Sequence, residues 1–307
     1  MPDLTFLIEL FASGVRIGTP LAIAGVGGAF AERSGVLNIA IEGMMLVGAF
    51  VAVLVSYYSG SAEIAALAAI AAGGMMATLL AYLCVTRNLE QIVCGVALNL
   101  LAIGITNVLY RKILGPLPYI RVAGFDDIKV PFLYDIPVLG RLLFDYNVMT
   151  YLLYVLPLVA TWIMFRTSWG LSVRAVGDEP EAVDTAGISV ARVRYTCVIL
   201  GGMCAGLAGA ALSLTDMRSF VTGMIAGRGF IVIAAHFCGK WNPIRVVLFC
   251  LLFGLADALQ LRLQSLYSSV PSEILSMVPY LLTVVFLAGF IGTVTAPRKM
   301  DIPYVRT

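Results

Sequence analysis

Long hydrophobic runs separated by short polar connections dominate the chain. Nine segments can be distinguished, most of them close to the roughly 20 residues that cross a ~30 Å hydrocarbon core as a helix. They lie at residues 10 to 30, 38 to 57, 63 to 85, 91 to 110, 148 to 165, 194 to 214, 225 to 239, 245 to 262 and 273 to 294. The pattern predicts an all-α, polytopic helical bundle of about nine spans, formed as a single transmembrane domain over residues 1 to 307.

Three stretches are less regular. Residues 3 to 16 mix charged and apolar side chains, which suggests an interfacial helix before the first span. The seventh segment is short and rich in glycine. Residues 111 to 147 form the longest polar stretch, and we expect them to make an ordered external loop that caps one membrane face.

Composition excludes a soluble enzyme. Of the 307 residues, 60% are apolar and 12% are charged, and the mean hydropathy is +0.96, far from the mix found in soluble domains. A net charge of +2, evenly spread, gives no basic surface for nucleic acid. The N-terminus has no basic residue before its apolar stretch, so a cleaved signal peptide is not expected.

The distribution of lysine and arginine indicates an orientation. If residues 166 to 193 face the cytoplasm, the inner loops carry more basic residues than the outer ones, in the sense of the positive-inside rule, although the margin is small. Nine spans then place the N-terminus outside and the C-terminus in the cytoplasm.

The loop from 166 to 193 contains a predicted short helix. Asp178 and Glu181 have the spacing of a capping box, and Pro180 suits a first helical turn. The helix should begin at Glu179 and end at Gly187 in a left-handed conformation. Such a helix between two spans fits either docking into a groove of another protein or an ordinary surface position. Its residues of interest are Gly177, Asp178, Glu179, Pro180, Glu181, Ala182, Ala186 and Gly187.

Polar side chains inside the spans are candidates for a translocation path. Asn38 and Glu42 share a helical face, and Glu42 should face protein or water, near Arg33, because a carboxylate in lipid is costly. The set comprises Asn38, Glu42, Asn99, Asn107, Asp257 and Gln260. Uncharged amides suit a neutral polar solute, whereas the structural alternative is interhelical hydrogen bonding, worth about 0.6 kcal/mol per contact. For Glu42 that alternative is local pairing at the helix end.

Several kinds of chemistry have no support in the sequence. His236 is the one histidine, and we interpret it as a hydrogen-bonded packing residue rather than a proton relay. The six cysteines lie in apolar runs without a C-x-x-C, so no metal site is expected. Gly239 and Lys240 do not belong to a P-loop, so the chain should not bind ATP itself. The G-x-x-x-G of Gly202 and Gly206 is interpreted as packing within the chain.

Three stretches carry a resemblance to a known family. They are ERSGVLNIAIEGMMLVGAF at residues 32 to 50, GDEPEAVDTAGISVARVR at 177 to 194 and GRGFIVIAAHFCGKWNP at 227 to 243. The chain resembles the permease subunits of bacterial ABC importers of the branched-chain amino acid, ribose and nucleoside group, and within it the nucleoside and simple-sugar branch. The match extends over nearly the whole chain.

The resemblance implies a type II importer fold in the bacterial cytoplasmic (inner) membrane. Family members commonly have about ten spans, so this chain would lack the first one. In the family, two permease subunits enclose the pathway, two ATPase subunits bind ATP and Mg²⁺, and an external binding protein delivers the substrate. Residues 177 to 187 would be the coupling helix that receives the ATPase stroke. The second permease would be a paralogue, which makes a heterodimer.

Two other functions remain open at this point. The importer could carry a simple sugar instead of a nucleoside. Less expected is an ion-coupled secondary transporter, which would need Asp257, Glu42 or His236 as its relay. An integral-membrane enzyme would need a reactive cluster at one membrane depth, and the sequence offers none.

Overall fold

The computed structural model describes residues 4–115, 121–129, 144–266 and 296–304, with a few isolated positions besides. Within these ranges the regular secondary structure is helical except for one two-stranded pair. The helices are α1 Leu4–Arg33, α2 Ile41–Ser59, α3 Ala62–Ala81, α4 Gln91–Leu109, α5 Val148–Arg166, α6 Ser168–Asp178, α7 Pro180–Thr185, α8 Val190–Leu212, α9 Arg228–Gly239 and α10 Pro243–Leu266. The π-helical turns Tyr82–Thr86, Tyr110–Leu114 and Ser213–Met217 extend α3, α4 and α8.

Seven of these helices are long and apolar enough to cross a membrane: α1 to α5, α8 and α10. Their bounds agree with the predicted segments to within a few residues, except at the N-terminus. There α1 runs unbroken from Leu4, so residues 3 to 16 do not form a separate interfacial helix. The predicted seventh span is α9, which has 12 residues and is about 18 Å long, too short to cross. The predicted ninth span lies outside the described residues, so nine spans are not confirmed.

Short connections join α1 to α4, so that successive helices run in opposite directions. At one end of the bundle, which we call the α7 end, Arg33 of α1 lies 3.7 Å from Asp178, and Thr86 after α3 hydrogen-bonds Tyr195 near the start of α8. At the opposite end, which we call the hairpin end, strand β1 (Ile128–Lys129) pairs antiparallel with β2 (Asp145–Tyr146). Within the stretch predicted as an external loop, residues 128–129 are thus held against residues 145–146.

The core is built around α8, which packs against α1, α2 and α3. Its glycines allow this close approach. A Cβ on Gly202 would meet the backbone of Gly73, and one on Gly206 would overlap the carbonyl oxygen of Ala69. Small residues let helices approach where dispersion, not hydrophobicity, must hold them together. The G-x-x-x-G of α8 thus serves packing within the chain, as predicted.

Candidate functional site

The segment from α6 to α7 projects a short helix at the α7 end. Only Pro180 and Val183 of α7 are buried, and its other side chains lie at the surface. Gly187 has φ of +83° and closes the helix, as predicted. The predicted capping box is wrong. The N-cap residue is Glu179, without a side-chain hydrogen bond, because Asp178 completes α6 and its carboxylate faces Arg33.

Gly177 lies where two other segments meet. A Cβ on Gly177 would overlap the carbonyl oxygen of Arg33, so α6 lies directly on the end of α1. The carbonyl oxygen of Gly177 accepts a hydrogen bond from the N–H of Lys299 at 2.9 Å. Lys299 belongs to residues 296–304, which we call the C-terminal strap. Sequence reasoning missed this contact, since backbone atoms carry no signature in the residue pattern.

Glu179 and Glu181, at the start of α7, face basic residues of the strap. Lys299 Nζ lies 3.2 Å from Glu181 Oε1, and Arg298 Nη1 lies 3.5 Å from Glu179 Oε1. The pKa of Glu181 is lowered, first by its own backbone N–H near the helix start and then by Lys299. Glu181 therefore stays ionised throughout the physiological pH range. The predicted residues Ala182, on α7, and Ala186, which caps its C-terminal end, are both exposed.

Glu42 lies in the first turn of α2 and holds the start of α9. Its carboxylate oxygens accept hydrogen bonds from the N–H of Gly227 at 2.8 Å and of Gly229 at 2.7 Å. The first amides of a helix are unpaired and carry partial positive charge, so a carboxylate there is favoured. The expected partner, Arg33, pairs with Asp178 instead. Glu42 does face protein, as predicted, but its partners lie about 185 residues away in sequence.

Asn99 and Asn38 also lie inside the bundle. Asn99 of α4 accepts a hydrogen bond from the N–H of Gly43 at 2.8 Å and donates one to the carbonyl oxygen of Ile39 at 3.0 Å. It thus joins α4 to the start of α2, as the structural alternative expected. Asn38 is fully buried, and its Nδ2 lies 3.7 Å from Met44 Sδ. Asn107 is half-buried farther along α4.

Asp257 and Gln260 lie on α10, towards the hairpin end. The carboxylate of Asp257 lies 3.9 Å from Arg228, the first residue of α9. Asp257 is therefore compensated by an arginine inside the bundle, which lowers the cost of burying its charge. Gln260 is half-buried one turn on. The structure thus separates the six path candidates. Glu42, Asn99 and Asp257 bind neighbouring elements. Asn38 is fully buried beside Met44, whereas Asn107 and Gln260 are only partly buried.

His236 belongs to a fully buried polar network that joins α1 to α9. Its Nε2 lies 2.8 Å from the carbonyl oxygen of Gly25, and its Nδ1 lies 2.9 Å from Glu32 Oε1. Trp241 Nε1 donates to Glu32 Oε2 at 2.7 Å. A carbonyl oxygen only accepts, so Nε2 carries a hydrogen. The contact between Nδ1 and Glu32 then holds one proton, on either partner, and the pair has zero net charge.

Glu32 was not singled out by the sequence, although it lies within one of the family stretches. The prediction that His236 is a hydrogen-bonded packing residue is confirmed. The sequence offered one signal for this pair: Glu32 follows a long apolar run, and a buried carboxylate there needs a partner such as the single histidine, His236.

Two cavities open towards the hairpin end and share Arg16. One, of about 350 Å³, is lined by Ser13, Arg16, Ile17, Pro20, Leu212, Met217, Arg228, Ala258, Leu261 and Arg262. The other, of about 260 Å³, is lined by Arg16, Arg121, Phe125, Asp127, Asn147, Thr215 and Arg218. None of the six predicted path residues lines either cavity.

Comparison with known proteins identifies the family. The family described as the permease component of the branched-chain amino acid transport system matches residues 10–287. The chain belongs to this family. The permease is 38% identical to a guanosine ABC transporter permease protein of Bacillus subtilis, over 99% of both chains. It is 34% identical to a nucleoside ABC transporter permease protein of Lactococcus lactis, over 97% of both.

Other similar proteins have names that refer to other transported substances. A protein of Haloferax volcanii, provisionally named a glucose ABC transporter permease, is 37% identical over 86% of the permease and 80% of its own length. A solved structure provisionally described as a metal-chelate type ABC transporter, in an inward-facing conformation, covers 91% of the permease and 84% of its own chain with a TM-score of 0.51. At 16% identity this likeness shows the fold alone. The fold is therefore that of an ABC transporter permease.

Proposed function

We propose that the chain is the transmembrane permease subunit of an ATP-driven importer for nucleosides and forms half of the translocation pathway. The observation that carries this proposal is the match over essentially the whole chain to a permease named for guanosine. A second match of similar extent to a nucleoside permease supports the same substrate class. The sequence has no P-loop, and ATP hydrolysis is therefore assigned to partner subunits.

The segment from Gly177 to Gly187 acts as the coupling helix. Support comes from its form: α7 is a short helix between spanning helices, it projects at one end of the bundle, and it buries only two side chains. The side chains of α7 other than Pro180 and Val183 are therefore available to a partner protein. ATP and Mg²⁺ bind to the partner ATPase subunits, whose closure moves α7 and switches the permease pair between outward and inward states as rigid bodies.

The remaining partners and the orientation follow from this role. A second permease subunit, a paralogue, completes the pathway, and an external binding protein delivers the substrate. The α7 end faces the cytoplasm, where ATP is available, so the N-terminus lies outside and the C-terminus inside the bacterial inner membrane. Among the path candidates, Asn107 and Gln260 suit a neutral polar solute best, because both residues are uncharged and only partly buried.

The test is uptake of labelled guanosine by cells that express the chain with its second permease, ATPase and binding protein. We expect uptake that unlabelled nucleosides inhibit, that glucose or ribose leaves unchanged and that ATP depletion abolishes. Competition by a free sugar would move the importer to the sugar branch. Uptake that survives ATP depletion but collapses with an ionophore would instead identify an ion-coupled transporter.

A further inference from the structure

We propose that the C-terminal strap, residues 296–304, clamps the coupling helix to the membrane helices, and that this clamp is required to transmit the ATPase stroke. The inference rests on the proposed importer function and extends it to residues outside the set of path candidates. The strap residues are therefore positioning residues. Their contacts lie at the α7 end, on the segment that would bear the stroke.

The clamp is needed because α7 is weakly attached by itself. It has six residues, of which Pro180 and Val183 are buried, and the chain continues from it through an exposed stretch to Ser189. A force applied to such a helix would first move it relative to the bundle. Additional bonds between α7 and the spanning helices are what convert that force into movement of the bundle.

The first part of the clamp is a joint made of backbone atoms. The N–H of Lys299 donates to the carbonyl oxygen of Gly177 at 2.9 Å, and the N–H of Asp301 donates to that of Gly35 at 3.3 Å. Gly35 has φ of +90°, and a Cβ there would lie 3.0 Å from Arg194 Nη2 and 3.1 Å from the carbonyl oxygen of Lys299. The coupling segment, the turn between α1 and α2, and the strap are thus joined through backbone atoms.

The second part is electrostatic. Lys299 and Arg298 pair with Glu181 and Glu179, and the N–H of Arg298 lies 3.4 Å from Asp178 Oδ1. Exposed ion pairs are individually weak. Here three consecutive contacts follow the acidic edge of α6 and α7, so the strap is fixed along the whole start of the coupling helix.

The third part anchors the strap to the central helix. Arg194 of α8 is 1% exposed and donates from Nη1 to the carbonyl oxygen of Ile302 at 3.3 Å. Since α8 packs against α1, α2 and α3, a displacement of the strap reaches four helices of the core. The strap therefore connects α7 both to the end of α1 and to the base of α8.

The experiment compares the double variant Arg298→Glu, Lys299→Glu with the wild type in the complete transporter, reconstituted in liposomes. The matched control is Lys240→Glu, Arg245→Glu, which reverses two exposed basic residues outside the strap. We measure guanosine import and ATP hydrolysis in the same vesicles. We expect the strap variant to import several-fold less guanosine per ATP hydrolysed, while the control keeps the wild-type ratio.

Hydrogen exchange of the same preparations provides a readout that does not depend on transport. The amides of residues 183 to 188 should exchange faster in the strap variant than in the wild type or the control. An unchanged ratio of import to hydrolysis, or unchanged exchange, would overturn the clamp. Loss of the ATPase from the purified complex would also overturn it, because the strap would then be a docking surface. A wild type without ATP-driven guanosine uptake would refute the proposed function instead.

Discussion

The pair formed by Glu32 and His236 shows how a membrane-embedded bundle can hold two ionisable side chains without a net charge. Each has a second partner: Gly25 accepts from the imidazole, and Trp241 donates to the carboxylate. Both ring nitrogens of His236 and both carboxylate oxygens of Glu32 therefore have a hydrogen-bond partner. Buried polar networks are stable when every member is satisfied in this way. The side chains act as a structural link between α1 and α9.

This arrangement predicts a specific outcome for Glu32→Leu, which removes the acceptor of Trp241 and the partner of His236. Leucine cannot accept a hydrogen bond, so the buried N–H of Trp241 would be left unpaired, at a cost of about 1–3 kcal/mol. We expect a lower melting temperature of the purified transporter in detergent. In Glu32→Leu, Trp241→Phe the unpaired donor is removed, so the loss should be smaller than the sum of the losses of the two single variants. Additive losses would contradict the network.

Glycine substitutions test the close approach of α8. A Cβ on Gly209 would overlap the carbonyl oxygen of Met45 in α2. Gly209→Ala should therefore destabilise by about 1–3 kcal/mol through overpacking. Gly104 on α4 is the control, because a Cβ there meets nothing within 4 Å, and alanine has a helix propensity about 1 kcal/mol better than glycine. Thermal unfolding should rank Gly104→Ala at or above the wild type and Gly209→Ala below it.

At the scale of elements, α9 depends on α2 for its position. Glu42 pairs the first amides of α9, so Glu42→Ala would leave two N–H groups without their acceptor and the helix end without its counter-charge. We expect faster hydrogen exchange at Gly229 to Ile231 and a lower melting temperature. Glu63→Ala serves as control, since Glu63 is fully exposed and bonded only to Ser61 nearby. Equal effects of the two substitutions would argue against the anchor.

The helix α7 can be tested by adding bulk and charge to its exposed face. Ala182→Glu should leave insertion and ATP hydrolysis intact but reduce uptake, because docking would be altered without any change in the bundle. Ala191→Glu is the matched control, exposed in the first turn of α8 at the same end. Uptake and hydrolysis by the complete transporter are compared for both. Normal uptake by the Ala182 variant would remove α7 from the coupling role.

The elements themselves were largely predictable from the sequence, since hydrophobic length reports the solvent around a helix. The bounds of α4, α5 and α10 follow the apolar runs to within a few residues. The partners of Glu42 and Gly177 were not predictable, because they are backbone N–H groups of distant segments. The capping box failed for a related reason: Asp178 had the right spacing, but tertiary contacts with Arg33 and the strap engage it instead.

At the scale of the whole molecule, the orientation can be measured directly. The turn between α2 and α3 and the helix α7 lie at opposite ends of the bundle in the proposed topology. In intact cells, an impermeant thiol reagent should label Ser61→Cys and reach Thr185→Cys only after permeabilisation. The parent chain, whose six cysteines are buried or partly buried, gives the background. Labelling of Thr185→Cys in intact cells would reverse the orientation.

The network of α1 and α9 also has a consequence for how the protein is made. Glu32 and His236 are 204 residues apart, so at about 5–20 residues per second the ribosome needs about 10–40 s to supply the histidine. During that interval the first helix is already synthesised with its carboxyl group unmatched. Nascent chains that end before His236 and Trp241 would carry that unmatched carboxyl group permanently.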